Sequence, residues 1–461
     1  MQTSTRSPLR HVVWGASLFS VSSFSAFAQN LANLPGLSEI QRPVAAAVQS
    51  ACGGLAGMTS RSAEQEKLYV SCRKMVQTAN AQPGNTGANA QSLGLTNQQL
   101  RDAVQAVGHE EVAIQGRSAV EAAGGNAVGV RLFALRNGAR GFGVAHLGDR
   151  SAPDKSIAYQ LSGRETGGGA AGEPTGRLGG FLNLSHNSGD KSTTAREDGF
   201  DFKNNGVTAG LDYRFSDGFV AGVALTYGKT DATIASALGS ADSKTGAVSA
   251  YGSWYSGKFY LDAHLSYSRN DYDTVRNIVV ASQTAIPGFN TAATGSTKGN
   301  QYTAVLGAGY DIDRGSLLVT PYGRLGFLKL KIDAYTESEP NHGLALDVGG
   351  QSLKSLQSAL GLKIAMTSST AFGVVVPFVS LEWNHEFDND TRSLTAKYTN
   401  DPFNNFFAIP TDTPDRNYGT LSAGVSAQFR NGLSGFATVS TVQGLKDVKN
   451  HGFAIGLRKE F

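Results

Sequence analysis

From Arg177 to Phe461, short segments of alternating apolar and polar residues are joined by connections that alternate, without a break, between very short and long. The short turns fall at Asp217-Gly218, Ser256-Gly257, Asp313-Arg314-Gly315, Ser368-Ser369-Thr370 and Arg430-Asn431-Gly432. Long polar connections fall near 188–199, 231–243, 272–299, 334–352, 388–416 and 442–450. Turns this short close hairpins, and glycine supplies the positive φ that many of them need. A soluble β-sandwich has no reason to sort its loops by length. A barrel in an outer membrane does, with short turns on the periplasmic side and long loops outside.

The alternation itself is clear in several places. Phe219, Ala221, Val223, Leu225 and Tyr227 share one parity, with Gly222, Ala224, Thr226 and Gly228 between them. Phe259, Leu261, Ala263, Leu265 and Tyr267 repeat the pattern around Asp262, His264 and Ser266. A period of two sends the two sets to opposite faces of a sheet. The pattern predicts twelve strands, near 177–187, 200–215, 219–230, 244–255, 258–271, 300–312, 317–333, 353–367, 372–387, 417–429, 433–441 and 451–461. Aromatic residues gather at two levels. Tyr213, Phe215, Phe219, Trp254, Phe259, Phe429 and Phe436 sit near short turns, and Tyr227, Tyr267, Tyr272, Trp383, Phe387 and Tyr398 toward long loops. Two interfacial belts would produce this arrangement.

The expected fold is therefore all-β: a twelve-stranded antiparallel transmembrane barrel over 177–461, preceded by a small, mainly α-helical N-terminal region. Composition agrees. Charged residues make up 17% of the chain, glycine is abundant at 56, and a formal charge of +3 gives no reason to expect nucleic acid. Residues 1–28 read as a signal peptide: Arg6 and Arg10, an apolar run from Val12 to Val21, and Ala26-Phe27-Ala28 before the expected cut. Residues 29–95 read as a small helical region with a linker, 96–142 as a further helical segment, and 143–176 as a Gly-rich linker that could thread the pore. Two helical turns are expected over 43–50, stopped by Gly53-Gly54. Ser62-x-x-Gln65 and Thr96-x-x-Gln99 are capping boxes, and Leu68, Cys72, Met75 and Ala79 then share one helical face. In an oxidising periplasm Cys52 and Cys72 are expected to form a disulfide rather than stay free, stabilising the fold by about 3 kcal/mol.

Several phrases, taken in order, resemble the autotransporter (type V secretion) family. They are the run Arg131 to Gly141, the run Gly206 to Arg214, Pro321-Tyr322-Gly323-Arg324, Glu382-Trp383 with His385-Glu386-Phe387, and Asp401-Pro402-Phe403. The resemblance covers about residues 130–461. It implies a translocator barrel, monomeric in the outer membrane of a Gram-negative bacterium, with an N-terminal passenger at the cell surface and a pore-threading segment within 120–176. It also implies passage through the inner-membrane secretion channel and contact with periplasmic chaperones, the barrel-assembly machinery and outer-membrane lipid. Phe453, Ile455, Leu457 and the terminal Phe461 resemble the signal read by that machinery, from which Lys459 departs. The passenger also departs from the family, being short, helical and without repeats. Some relatives cut the threaded segment at an asparagine, for which Asn126 and Asn137 are the candidates.

No enzyme is expected. There is no G-x-S-x-G elbow and no Gly-Asp-Ser-Leu block, and His109-Glu110-Glu111 lacks the spacing of a zinc motif. No metal or cofactor is implied. The polar residues on the strands carry the remaining information. Asp212, Arg214, Asp262, His264, Lys363, Glu382, Glu386 and Arg458 lie between apolar neighbours, and alternation points them into the lumen. A basic side chain on the lipid face near the midplane would cost about 2–4 kcal/mol. Three readings of the whole remain open: a barrel carrying or displaying a short surface passenger, a passive pore whose N-terminal region is a plug, and a surface adhesin.

Overall fold

The computed structural model describes residues 30–108, 177–388, 391–429 and 433–461. The expected signal peptide, the segment 109–176, His109, Asn126 and Asn137 lie outside them. Twelve long antiparallel strands form a closed barrel: β1 (Leu178–Lys191), β2 (Phe200–Ser216), β3 (Phe219–Ile234), β4 (Gly239–Ser256), β5 (Phe259–Val280), β6 (Phe289–Tyr310), β7 (Leu317–Ile332), β8 (Gln351–Met366), β9 (Gly373–Glu386), β10 (Asn417–Phe429), β11 (Leu433–Gln443) and β12 (Val448–Glu460). Each pairs with its sequence neighbours, and β12 returns to β1 in a register running from Gly179↔Glu460 to Lys191↔Val448. Closure leaves no unpaired sheet edge, which is the condition for a strand structure to sit in lipid.

The alternation seen in the sequence fixes the two faces. On β3, Val223, Leu225 and Tyr227 are more than half exposed, whereas Val220 and Ala224 are buried. At the short-turn end, Gly257 (φ +59°) and Gly315 (φ +70°) occupy the left-handed region that turns of two or three residues require. The β1 end of the chain lies at the same end, where the Phe461 amide donates to the Leu178 carbonyl.

At the other end the structure corrects the strand limits. The connection expected over 272–299 shrinks to 281–288, and that over 231–243 to 235–238, because β3 to β6 continue well beyond the aromatic belt. There the outward face turns polar, as at Asp271, Asp273, Ser296 and Lys298, and the apolar half of the alternation disappears from the sequence. The inward face persists through Tyr272, Thr274, Arg276, Ile278 and Val280, all buried. Tyr272 and Tyr398, expected in the outer belt, are instead each 1% exposed. Phe436 likewise turns inward and lines a small cavity with Asn183 and Arg458.

What buries that inner face is the N-terminal region. Helices α1 (Gln41–Ala56), α2 (Ala63–Asn80) and α3 (Asn97–Ala106) pack on a small sheet built from the two longest connections, with strands Tyr335–Thr336, Leu346–Val348, Ser393–Tyr398 and Phe407–Pro410. Leu31, Val44, Leu55, Met75, Leu93 and Leu100 join Tyr272, Ile278, Leu330, Leu346 and Tyr398 in one apolar cluster. Both capping boxes form: the Ser62 and Thr96 hydroxyls accept from the Gln65 and Gln99 amides, and the glutamine side chains accept in return from the cap amides. Cys52 and Cys72 are bonded, tying α1 to α2. One expectation fails locally. Gly53-Gly54 does not stop α1, which runs on to Ala56. Glycine inside a helix costs about 1 kcal/mol against alanine, but a Cβ on Gly54 would lie 2.5 Å from the Phe403 ring. The missing side chain lets a barrel loop close on the helix.

Candidate functional site: the lumen and the capped mouth

Alternation brings the polar strand residues into three groups. The first is at the short-turn end. Asp212 accepts from Tyr251 Oη at 3.2 Å and from Arg458 Nη2 at 3.3 Å, and Arg458 Nη1 lies 3.0 Å from Glu460. Arg214 approaches the same Glu460 at 3.9 Å. Glu460 was not singled out in the sequence, although it shares its parity with Arg458.

The second group surrounds a lumen cavity of about 270 Å³, lined by Asp262, His264, Lys363 and Glu382 among others. Asp262 accepts from Ser253 Oγ at 2.5 Å. Glu382 accepts from Tyr322 Oη at 2.8 Å and Arg324 Nη2 at 2.9 Å. His264 is 4% exposed, and among the described residues neither ring nitrogen has a hydrogen-bond partner. Lys363 is buried on the same wall. Glu386 stands apart. It accepts from Ser355 Oγ at 2.6 Å and from the amides of Leu356 and Asp388, each at 3.0 Å. It therefore anchors the start of the β9–β10 connection at the rim.

The residues that hold the mouth closed went unseen in the sequence, because they lie where loops were expected. Arg276, fully buried on β5, forms a two-point ion pair with Glu337: Nε to Oε1 at 3.0 Å and Nη2 to Oε2. Its remaining donors reach the carbonyls of Leu344 at 2.9 Å and Ala106 at 3.4 Å. Tyr398 Oη donates to the Val107 carbonyl at 2.9 Å. A barrel cation and a hydroxyl from the small loop sheet thus cap the C-terminal end of α3, where the helix dipole favours positive charge. Glu339 accepts from Thr291 Oγ1 and from the amides of Asn341, His342 and Leu344. Burial alone would raise its pKa, but these hydrogen bonds outweigh it and hold the carboxyl below its ordinary range. The signal that could have found Arg276 is the unbroken even parity from Tyr260 to Val280.

Further contacts seal the rim. Ser71 and Lys67 donate to the carbonyls of His342 and Pro340, and Lys74 donates to that of Pro287. Arg196 pairs with Glu39 at 2.8 Å. On the closing strand, Phe453, Ile455, Leu457 and Phe461 all face outward, between 38% and 68% exposed. Among the described residues no group of three or more His, Cys, Asp or Glu side chains is placed to hold a metal ion.

Residues 180–440 match the family described as the autotransporter β-domain. No curated protein matches the chain. Among solved structures, the chain is similar to the translocator domain of the autotransporter NalP from Neisseria meningitidis, at 19% identity and a TM-score of 0.49, over 62% of this chain and 89% of that one. It is also similar to the β-domain of the Bordetella autotransporter BrkA, at 19% identity and a TM-score of 0.44, over 61% and 99% of the two chains. The transport unit of AIDA-I from Escherichia coli matches at 13% identity and a TM-score of 0.41, over 61% and 90%.

Proposed function

Since this chain belongs to the autotransporter β-domain family, we propose that its barrel carries its own N-terminal helices to the cell surface and keeps them there as a docked cap. The observation that carries this reading is the single apolar core shared by α1–α3 and the loop-side rim of the barrel. A passenger meant for release would need a polar, separable contact. Here Leu55, Leu93 and Leu100 are fully buried in a core continued by Leu330 and Leu346. Burying side chains of this size contributes about 1.5–3 kcal/mol each.

Chain continuity supports the same route. Gly108 ends the described cap at one end of the barrel, while Arg177 precedes β1 at the other. A route through the lumen between these two ends would keep polar backbone out of lipid, which supports the threading that the family resemblance implies. On this reading Asp262, Lys363 and Glu382 serve the threaded segment, and Asp212, Arg214 and Arg458 keep the short-turn end hydrated. The region 1–28 acts as the export signal, and Phe453, Ile455, Leu457 and Phe461 as the handle for the assembly machinery. Deleting Phe461 should then leave the chain processed but periplasmic or degraded, as fractionation at low expression would reveal.

The plug reading draws on the same cap but assigns it no displayed role. Fractionation of cells carrying an epitope in the exposed 84–90 turn separates cargo from cap. The epitope should stay with the membranes on the full-length mature chain. Its recovery in the medium on a shorter fragment would contradict retention.

A further inference from the structure

On five neighbouring strands the outward face turns from apolar to basic at one level. Val248 on β4, Tyr267 on β5, Tyr302 on β6, Phe327 on β7 and Leu356 on β8 are exposed on the lipid side. Two or four residues nearer the cap, the same faces carry Lys244, Arg269, Lys298, Lys329 with Lys331, and Lys354. The register makes these one surface. Arg269, Asn300 and Lys331 stand in line across β5–β7, and Tyr302, Lys329 and Lys354 across β6–β8.

Lys329 and Lys354 are therefore direct cross-strand partners of like charge, an arrangement that is destabilising by itself. Among the described residues, no carboxylate closes to an ion pair with Arg269, Lys298, Lys329, Lys331 or Lys354, although Asp271 stands opposite Lys298. The aspartates Asp231, Asp242 and Asp273 form a separate row on β3–β5, further from the lipid. Elsewhere around the barrel the outer face near this level carries His186, bonded to Asn205, His385, bonded to Asn417, Lys229 and Lys449, paired with Asp231 and Asp190, and Lys203, which stands opposite Asp231. The densest unneutralised charge thus lies on one side.

Its height specifies the ligand. Tyr267 and Tyr302, with ring centroids 5.2 Å apart, mark the boundary where acyl chains meet headgroups. Directly below them, Leu306 and Leu325 face the hydrocarbon as cross-strand partners. A ligand fitting both parts has acyl chains and phosphate at their junction. We propose that the β5–β8 face binds the phosphorylated glycolipid of the outer leaflet, with its phosphates between Arg269, Lys329, Lys331 and Lys354 and its acyl chains along Leu306 and Leu325. Charge-assisted hydrogen bonds to phosphate relieve the Lys329–Lys354 repulsion. The inference rests on the orientation proposed above, with the cap outside.

The test uses the full-length protein extracted in mild detergent, with co-purifying lipid quantified by mass spectrometry. Wild type is compared with Lys329→Gln/Lys331→Gln/Lys354→Gln, with the same three changed to Arg, and with Lys203→Gln/Lys449→Gln as a charge control. Heat-modifiable migration is required of every variant. If the triple glutamine variant fails it, Lys354→Gln alone is read. Each basic residue at an anionic surface contributes on the order of 1 kcal/mol, so each removal should cost about fivefold in retained glycolipid. The arginine variant and the control should retain wild-type amounts. Purified phosphorylated glycolipid should rebind, whereas its dephosphorylated form and inorganic phosphate should not occupy the site.

Equal retention by the glutamine variant would overturn the proposal, as would equal binding of the dephosphorylated glycolipid or displacement by inorganic phosphate at matched concentration. A preference for anionic glycerophospholipid would overturn it too. If the cap is then also inaccessible on intact cells, the orientation is the failed premise. If the cap is accessible, the basic face alone has been misread.

Discussion

Arg276 and Glu337 form the buried ion pair through which the barrel reaches the N-terminal helices. Both side chains are at most 1% exposed, and the pair bridges β5, the β7–β8 connection and the end of α3. Removing one partner strands a buried charge, a loss of about 3–5 kcal/mol. Glu337→Gln should therefore loosen the cap, read as proteolysis of residues 30–108 at urea concentrations that the wild type resists. Arg276→Met with Glu337→Leu should recover part of that loss, because it leaves no orphaned charge. Unchanged protease resistance in Glu337→Gln would show that the ion pair does not hold the cap. A second residue-scale expectation concerns the two barrel faces. Val223 is 59% exposed on the lipid side, and Asp262 is buried in the lumen against Ser253. Val223→Arg should lose about 2–4 kcal/mol and with it most heat-modifiable protein. Asp262→Asn, which keeps an oxygen for the Ser253 hydroxyl, should assemble normally. Equal assembly of the two variants would contradict the assigned parity.

At the scale of elements, the β7–β8 connection is held by a carboxylate whose titration has a definite sign. The folded-state pKa of Glu339 lies below its ordinary value of 4.5. Its contribution is therefore fully present above the unfolded value and is lost as pH falls through the lowered folded one. Hydrogen exchange of 333–350 should be slow from neutral pH to about 5 and should quicken in more acid solution, beyond the intrinsic pH trend of exchange. Glu339→Gln should lack this extra acid step; the same step in the variant would assign it to another group. The strands themselves were legible because lipid demands apolar residues at every second position, as in Val223, Leu225 and Tyr227. Past the belt that demand ends. The continuations of β5 and β6 present polar residues to water, so Tyr272–Asp273 and Ser296–Lys298 read as loop. Arg276 was hidden for the same reason. The helix starts at Ser62 and Thr96 were legible from their caps, whereas the passage of α1 through Gly53-Gly54 depends on Phe403, which is remote in sequence and left no local mark.

For the molecule as a whole, the proposed reading is that the closed twelve-stranded barrel exports its N-terminal helices and keeps them docked over its outer mouth. Cap and short turns then lie on opposite sides of the membrane. Both native cysteines are bonded to each other, so an engineered thiol is the one group that a maleimide can find. Ser60, exposed before α2, reports the cap, and Ser256, exposed in the β4–β5 turn, reports the opposite end. The most direct measurement is labelling of Ser60→Cys and Ser256→Cys with a membrane-impermeant maleimide on intact and on permeabilised cells. With the cap outside, Ser60→Cys should label to the same extent in both, and Ser256→Cys only after permeabilisation. Labelling of Ser60→Cys that requires permeabilisation would contradict that placement.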